Sequence, residues 1–271
     1  MKSRILQMLK DSPEFLSGEE ISRRLGVTRA AVWKAITALR NAGYQIEAIS
    51  NRGYRLPSGT DILTAEEIAV SLRQAGLDQF FASVQFAPVV DSTNLMARRS
   101  AEQNAPDRSL FAAERQTAGR GRRGRSWLSD HQAGLWFSLL LRPEQQPASH
   151  FSRITLFTAL CVAESLISLG ADVGIKWPND LVSAKSGRKI GGILTEMSTE
   201  DNRVQTLIIG IGININTQKF EAELASLATS VFLETGRMRM RSEVLQAVLR
   251  VFAERYASYG EDNWIRDYRS L

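Results

Sequence analysis

The chain has 271 residues, 44% hydrophobic and 23% charged, with a formal net charge of +5; this is the mixture of a soluble globular protein with room for two domains, and it excludes collagen-like and disulfide-stapled classes. No run approaches the ~20 apolar residues of a membrane span, and the start Met1-Lys2-Ser3-Arg4-Ile5-Leu6 lacks the apolar core of a secretory signal. A single cysteine, Cys161, sits among apolar neighbours and only His131 and His150 could join it, which excludes a structural zinc site and points to a buried thiol in a reducing cytoplasm.

The positive charge is unevenly placed. Residues 1–60 hold 10 Lys/Arg against 5 Asp/Glu, whereas the remainder hold 24 of each, so the N-terminal fifth is the part suited to a nucleic acid. Apolar spacing predicts helices over 3–10 (Ile5, Leu6, Leu9) and 18–25 (Ile21, Leu25), the second ended by Gly26. Thr28 caps a third over 29–41, striped by Ala31, Val32, Ala35, Ile36 and Leu39. Two helices joined by Leu25-Gly26-Val27-Thr28 form a helix-turn-helix with the last helix as the reader. Strand-like runs 43–49 and 53–56 around Ser50-Asn51-Arg52 add a β-wing. Thr28, Arg29, Trp33 and Lys34 on the reader, with Arg52 and Arg55 on the wing, are the candidate DNA contacts, and Arg40 also lies off the stripe. The competing reading is a solvated face or a protein-binding winged helix.

Pro57-Ser58-Gly59-Thr60 reads as a linker dividing a winged-helix domain (1–60) from a second domain (61–271). Thr64-Ala65-Glu66-Glu67 is a capping box that opens a helix to about Ala75. Strand-like runs follow at 83–89, 109–114, 134–141, 173–177, 190–197 and 204–213, mixed with helical ones at 93–103, 149–169, 219–227, 242–258 and 262–268. The last two strands pair antiparallel across Glu200-Asp201-Asn202. That order predicts an α+β fold with a mixed sheet.

Four polar clusters interrupt the apolar pattern of the second domain. Asp91-Ser92-Thr93-Asn94 follows a strand and opens a helix, where a polar ligand is welcome but an N-cap is the simpler reading. Gln116 leads into Gly119-Arg120-Gly121-Arg122-Arg123-Gly124-Arg125-Ser126-Trp127, whose glycines let the backbone approach a ligand while arginines supply forks for carboxylate or phosphate. No Gly-Lys-Ser/Thr follows, so this is not an NTPase phosphate loop. Lys176-Trp177-Pro178-Asn179-Asp180 is a turn at a strand end, and Asp180 suits Mg²⁺ beside phosphates. Lys189-Ile190-Gly191-Gly192 and Gly210-Ile211-Gly212-Ile213-Asn214 carry paired glycines that would let a flat ligand rest on the sheet. Lys189, after the hairpin turn Ser186-Gly187-Arg188, could aim its ammonium at a carboxylate or α-phosphate, although hairpin lysines are usually solvated, and Asn214, if buried, needs a polar partner such as an adenine edge.

Taken in order, these blocks resemble the bacterial biotin protein ligases that double as biotin operon repressors, and the resemblance covers nearly the whole chain. It implies a class II aminoacyl-tRNA-synthetase-like catalytic domain that joins biotin to Mg·ATP as biotinyl-5′-AMP and then biotinylates a lysine of a biotin carboxyl carrier domain. It further implies that Ser92, Thr93, Asn94 and Gln116 grip the ureido end of biotin. Gly119, Arg120, Gly121 and Arg122 would cover biotin and the acyl-phosphate, with Lys189, Arg122 and Arg120 as the catalytic cations. Arg125, Trp127 (stacked on adenine), Asn179, Asp180, Lys189 and Asn214 would form the ATP side, Asp180 holding the nucleotide's Mg²⁺. A homodimer bearing the adenylate would bind biotin operon DNA. Family members usually continue into a small C-terminal β-barrel, which is expected to be absent here because the chain stops at Leu271. The alternatives are a lipoate-type ligase and a regulator that senses biotin or its adenylate without transferring it.

Overall fold

The computed structural model describes residues 1–57, 61–143 and 146–271; most of the expected linker, 58–60, lies outside them. The chain opens with α1 (Lys2–Asp11), α2 (Gly18–Leu25) and α3 (Arg29–Asn41). Ser17 Oγ accepts from Glu20 N at 3.0 Å to cap α2, Thr28 Oγ1 accepts from Ala31 N at 3.2 Å to cap α3, and Gly26 closes α2 at φ 66°. Ile5, Leu6, Leu9, Ile21, Val32, Ala35, Ile36 and Leu39 converge as one buried cluster. The wing strands β1 (Glu47–Ile49) and β2 (Gly53–Arg55) are shorter than expected. Gly43 and Tyr44 spend their N–H groups on Arg40 O and Leu39 O at the end of α3, so Tyr44 plugs the core before the strand begins. Gly53 is required: φ is 108°, and a Cβ there would land on Leu16 O.

The second part runs α4 (Ala65–Gln74), β3 (Ser83–Val90), α5 (Thr93–Glu102), β4 (Ser109–Gln116), β5 (Gly134–Leu141), α6 (Ile154–Ser168), β6 (Val173–Lys176), β7 (Asp180–Ser183), β8 (Lys189–Glu200) and β9 (Arg203–Asn214). It ends with α7 (Ala222–Ala225), α8 (Val231–Thr235), α9 (Arg241–Tyr256) and α10 (Trp264–Arg269). The seven strands lie in the order β3-β4-β5-β9-β8-β7-β6. Only β3–β4 is parallel, joined through α5; the other pairs are antiparallel. This is the mixed α+β sheet that the element order predicts. Asp201 and Asn202, at φ 48° and 60°, turn β8 into β9.

Three expectations need correction. The helix over 219–227 contracts to α7 and a separate α8. The run 149–169 divides into a 3-10 turn (Ala148–Phe151) and α6. Strand β7 continues directly from the turn after Lys176 and was not foreseen. The helical stretch Ala148–Ser168 is long and apolar enough to cross a membrane by length and composition alone. It is largely buried, and Phe157, Leu160, Cys161, Val162 and Leu166 join the large core. Burial pushes the Cys161 thiol far up, so it stays protonated and inert.

Helix α4 belongs to both cores. Val70 enters the N-terminal cluster while Ile68 and Leu72 enter the larger one. Glu67, 2% exposed, receives the Lys10 ammonium and the Tyr44 hydroxyl (3.2 Å), and Lys2 pairs with Glu66. Burial first, then the Glu67 charge, raises the Tyr44 phenol far above its ordinary value, which keeps it a hydrogen-bond donor.

Candidate active site

A cleft of about 390 Å³ opens over the sheet, bounded by the start of α5, the end of β4, the Gly/Arg segment, the turn at 177–180 and strands β8 and β9. One end is neutral and densely hydrogen-bonded. Ser92 occupies the N-cap position of α5, yet the cap is supplied from β4: Gln116 Oε1 accepts from Thr93 N (2.8 Å) and from Thr93 Oγ1 (3.2 Å). Gln116 Nε2 donates to Ser129 Oγ at 3.0 Å. Ser138 Oγ, on β5, donates to Asn94 Oδ1 at 2.7 Å and lies 2.8 Å from Thr93 Oγ1. Asn94 Nδ2 donates to Glu196 Oε2 at 2.8 Å. The amides thus have fixed orientations, the condition for reading a ligand's donor and acceptor pattern. Behind them the Arg99 fork grips Asp91 at 2.7 and 2.9 Å and holds its carboxyl below the usual range, outweighing burial.

The other end is cationic. The segment from Gly119 to Trp127 is a tight folded loop: Gly121 N donates to Arg125 O (2.7 Å), Trp127 N donates to Gly119 O (2.9 Å), and Arg123 and Gly124 turn the chain at φ 57° and 74°. A Cβ on Gly119 would collide with Ser129 Oγ and Trp127 O. Arg120 Nη1 donates to Glu196 Oε1 at 3.0 Å and Arg122 Nη1 to Asn179 Oδ1 at 3.3 Å, while Arg123 and Arg125 line the cleft. Lys189 Nζ lies 2.7 Å from Asp180 Oδ1 and 5.0 Å from the Trp127 ring centroid. Its backbone is clamped to the loop before α8, with Lys189 N donating to Leu227 O and Thr229 N to Lys189 O, both at 2.8 Å. Glu234 braces that arrangement by accepting from Ser183 (2.6 Å), Thr229 (2.7 Å) and Ser186 (3.0 Å). Burial alone would raise the Glu234 carboxyl; these hydroxyls and Arg188 carry it below the usual range.

The structure brings Ser92, Thr93, Asn94, Gln116, Arg120, Gly121, Arg122, Arg125, Trp127, Asn179, Asp180 and Lys189 to one cleft. Gly119 is buried and does not line the cleft, and two further expectations change. Two of the strand glycines make room for side chains of the protein itself: Gly212 seats the Trp127 indole, whose Nε1 and Cε2 would stand 2.9 Å from an added Cβ, and Gly210 seats the Asn94 amide. Trp127 therefore spends part of its surface on the sheet while the ring still lines the cleft. Asn214 does not line the cleft; its Nδ2 already donates to Thr229 O at 3.1 Å. Sequence reasoning missed Ser129, Ser138, Glu196 and Glu234. Only Glu196 left a signal, a carboxylate in the middle of a long strand.

On the winged helix, Arg29, Trp33 (60% exposed) and Lys34 are exposed and free of the core. Thr28 is occupied as the cap. Arg52 and Arg55 each lie 4.7 Å over the Phe15 ring, and Arg55 also pairs with Glu47 at 2.7 Å, so the wing arginines brace the wing. Arg40 is likewise occupied, donating through Nε to Ile46 O at 2.8 Å.

Comparison with known proteins agrees with this layout. Residues 86–214 match the Biotin/lipoate A/B protein ligase family and residues 2–55 match an HTH domain. The bifunctional ligase/repressor BirA of Bacillus spizizenii is 41% identical over 249 residues, covering 91% of this chain and 75% of that protein. BirA of Escherichia coli is 36% identical, covering 88% and 71%. Among solved structures, the biotin protein ligase of Aquifex aeolicus in complex with biotin and ATP superposes with a TM-score of 0.57 at 34% identity, covering 67% of this chain and 73% of that one. The chain belongs to the BirA family of bifunctional ligase/repressors, in which a helix-turn-helix domain precedes a biotin/lipoate ligase domain.

Proposed function

We propose that this protein, acting in the cytoplasm, activates biotin with ATP to biotinyl-5′-AMP and transfers the biotinyl group to a lysine of a biotin carboxyl carrier domain. In its adenylate-bound, homodimeric form it represses biotin genes. The observation that carries the reading is one cleft with a neutral, pre-oriented amide end and an Arg/Lys end. The first suits an uncharged urea-like ring, the second a carboxylate beside a phosphate.

In the first step a biotin carboxylate oxygen attacks the α-phosphorus, the bond to the β-phosphate oxygen breaks, and pyrophosphate leaves. Both reactants are anions, so their approach is opposed unless cations stand between them. Lys189, Arg120 and Arg122 supply that charge, and Lys189 exchanges Asp180 for the α-phosphate as the nucleotide arrives. The carboxylate is already the nucleophile, so no general base is required, and catalysis is positioning plus electrostatics. In the second step the acceptor amine attacks the acyl carbon, the carbon–oxygen bond to phosphate breaks, and AMP leaves with loss of one amine proton. Arg125, Asn179 and Asp180 face the nucleotide, Trp127 stands as a wall between the two halves, and Asn214 acts indirectly through Thr229. The described residues hold no cluster of three or more His, Cys, Asp or Glu. Among the described residues Asp180 is the one carboxylate lining the cleft, which fits Mg²⁺ arriving with the nucleotide and shielding its phosphate charge.

Incubation with biotin, Mg·ATP and an acceptor domain should add one biotinyl group to the acceptor, read by intact mass. An adenylate that forms and is never transferred points instead to a pure regulator. For the repressor half, operator DNA should shift in the presence of the adenylate and shift less without it; no shift in either state refutes repression. Gly210→Ala tests the neutral end. The new Cβ would land on Asn94 Oδ1, forcing the amide off Ser138 and Glu196, and loss of one or two such hydrogen bonds at ~1–1.5 kcal/mol each predicts roughly 10- to 100-fold weaker biotin binding by calorimetry.

A further inference from the structure

We propose that Glu196 is a positioning residue that ties the Gly/Arg segment to the neutral end of the cleft, so that closure of the segment and the grip of Asn94 rise and fall together. The inference rests on the ligase reading for what the cleft holds, and on geometry alone for the tie.

Glu196 lies inside the long strand β8, opposite Ile208 of β9, with its side chain 17% exposed. Each carboxylate oxygen has its own client. Oε2 accepts from Asn94 Nδ2 at 2.8 Å; Oε1 accepts from Arg120 Nη1 at 3.0 Å and from Arg98 Nη2 at 2.7 Å. The segment is rooted at one end by Thr117 N and Ala118 N, donating to Val90 O and Asp91 O at 2.9 Å, and at the other by the Trp127 indole against Gly212. Between the roots its attachments are Arg122 to the neutral Asn179 oxygen at 3.3 Å and Arg120 to Glu196. Of Arg120, Arg122, Arg123 and Arg125, Arg120 alone reaches a carboxylate among the described residues. Hydrogen bonds to an ionised group are about twice as strong as neutral ones, so the Glu196 contact is the principal hold on the middle of the segment.

A carboxylate is rigid and planar, and Asn94 and Arg120 share one. Releasing Arg120 leaves Oε1 held by Arg98 alone, so the carboxylate can shift, and Asn94, whose other partners are Leu194 O (3.3 Å) and Ser138 Oγ (2.7 Å), loses part of what fixes its amide. Fixing Asn94 with a ligand holds the carboxylate in the orientation that Arg120 needs. Two sites joined in this way must favour each other reciprocally.

Glu196→Gln keeps the size of the side chain and an amide oxygen for Asn94 but removes the charge. Two readouts apply: the rate of tryptic cleavage at Arg122, Arg123 and Arg125 in ligand-free protein, and biotin affinity by calorimetry. We expect cleavage about 10-fold faster and biotin binding about 10-fold weaker. Arg120→Gln breaks the tie from the other side and should give the same acceleration at those three arginines, which covers the case in which Glu196→Gln folds poorly. The double variant should be no worse than the more affected single one. Arg98→Ala removes a partner of Oε1 that lies outside the segment and should leave cleavage within twofold of the parent. Cleavage unaltered in both single variants, or effects that multiply in the double, overturns the tie. If the unmodified protein fails to bind biotin the ligase reading fails instead, and the cleavage comparison still decides the tie on its own.

Discussion

Lys189→Ala should slow adenylate formation by about 10²–10³-fold, the usual cost of removing one pre-organised group that stabilises transition-state charge, with the fold unaffected. The lysine is one third exposed and so is its partner Asp180, so breaking the pair strands no deeply buried charge and should leave the melting temperature nearly unaltered. The rate suffers for two separable reasons. The ammonium that would bridge carboxylate and α-phosphate is gone, and Asp180 is left as an uncompensated negative charge facing two anionic reactants. Lys189→Ala with Asp180→Asn separates them. Removing the stranded carboxylate should recover part of the loss, by up to about 10-fold, while the missing bridge keeps the remainder. The measurement is biotin-dependent exchange between pyrophosphate and ATP, which reports the first step without an acceptor. An exchange rate for Lys189→Ala within twofold of the parent would place the reacting atoms elsewhere.

Why part of the site was legible while its support was not follows from what a sequence displays. Arg120 and Arg122 announce themselves because they alternate with glycines, whereas Lys189 follows an ordinary hairpin turn and was singled out through the family resemblance. The winged helix was legible because Gly26, Thr28 and a 3.6-residue stripe are local signals, and the β8–β9 turn because Asp201-Asn202 is turn chemistry. Ser138 and Ser129 were invisible: each is a small polar residue whose role appears only when a distant strand lies beside it. The packing of Trp127 on Gly212 was hidden for a related reason. Aromatic and glycine were both read as ligand contacts, but Gly212 and Trp127 are complementary to each other and meet within the chain. Arg40 and Arg55 looked like free cations on the DNA-binding domain because nothing local shows the Ile46 carbonyl or the Glu47 carboxylate waiting for them.

Arg241 is the extreme case of such distant pairing, and Arg241→Ala should be the most destabilising single substitution of those considered. At the start of α9 and 2% exposed, it donates from Nε to Asp61 Oδ2 and from Nη2 to Glu114 Oε1, both at 2.9 Å, and lies 3.4 Å from Gly134 O through Nη1. Asp61 is the first described residue after 58–60 and Glu114 sits on β4 two residues before Gln116, so one guanidinium joins the chain ahead of α4 to the strand that carries the Gln116 amide. Alanine would leave two carboxylates facing each other with no cation, and Glu114 Oε2 already lacks a partner. Breaking a buried pair in this way costs ~3–5 kcal/mol, which for a chain of this size lowers the melting temperature by on the order of 10 °C. Arg241→Lys should rescue little, because a point ammonium does not reproduce a fork aimed at three acceptors. Arg241→Met combined with Asp61→Asn and Glu114→Gln should recover most of the stability, because the penalty comes from the unpaired charges. Thermal denaturation of the four proteins decides the matter. A melting temperature for Arg241→Ala within 2 °C of the parent would mean that the hub contributes nothing to stability, and the restoration argument would fall with it.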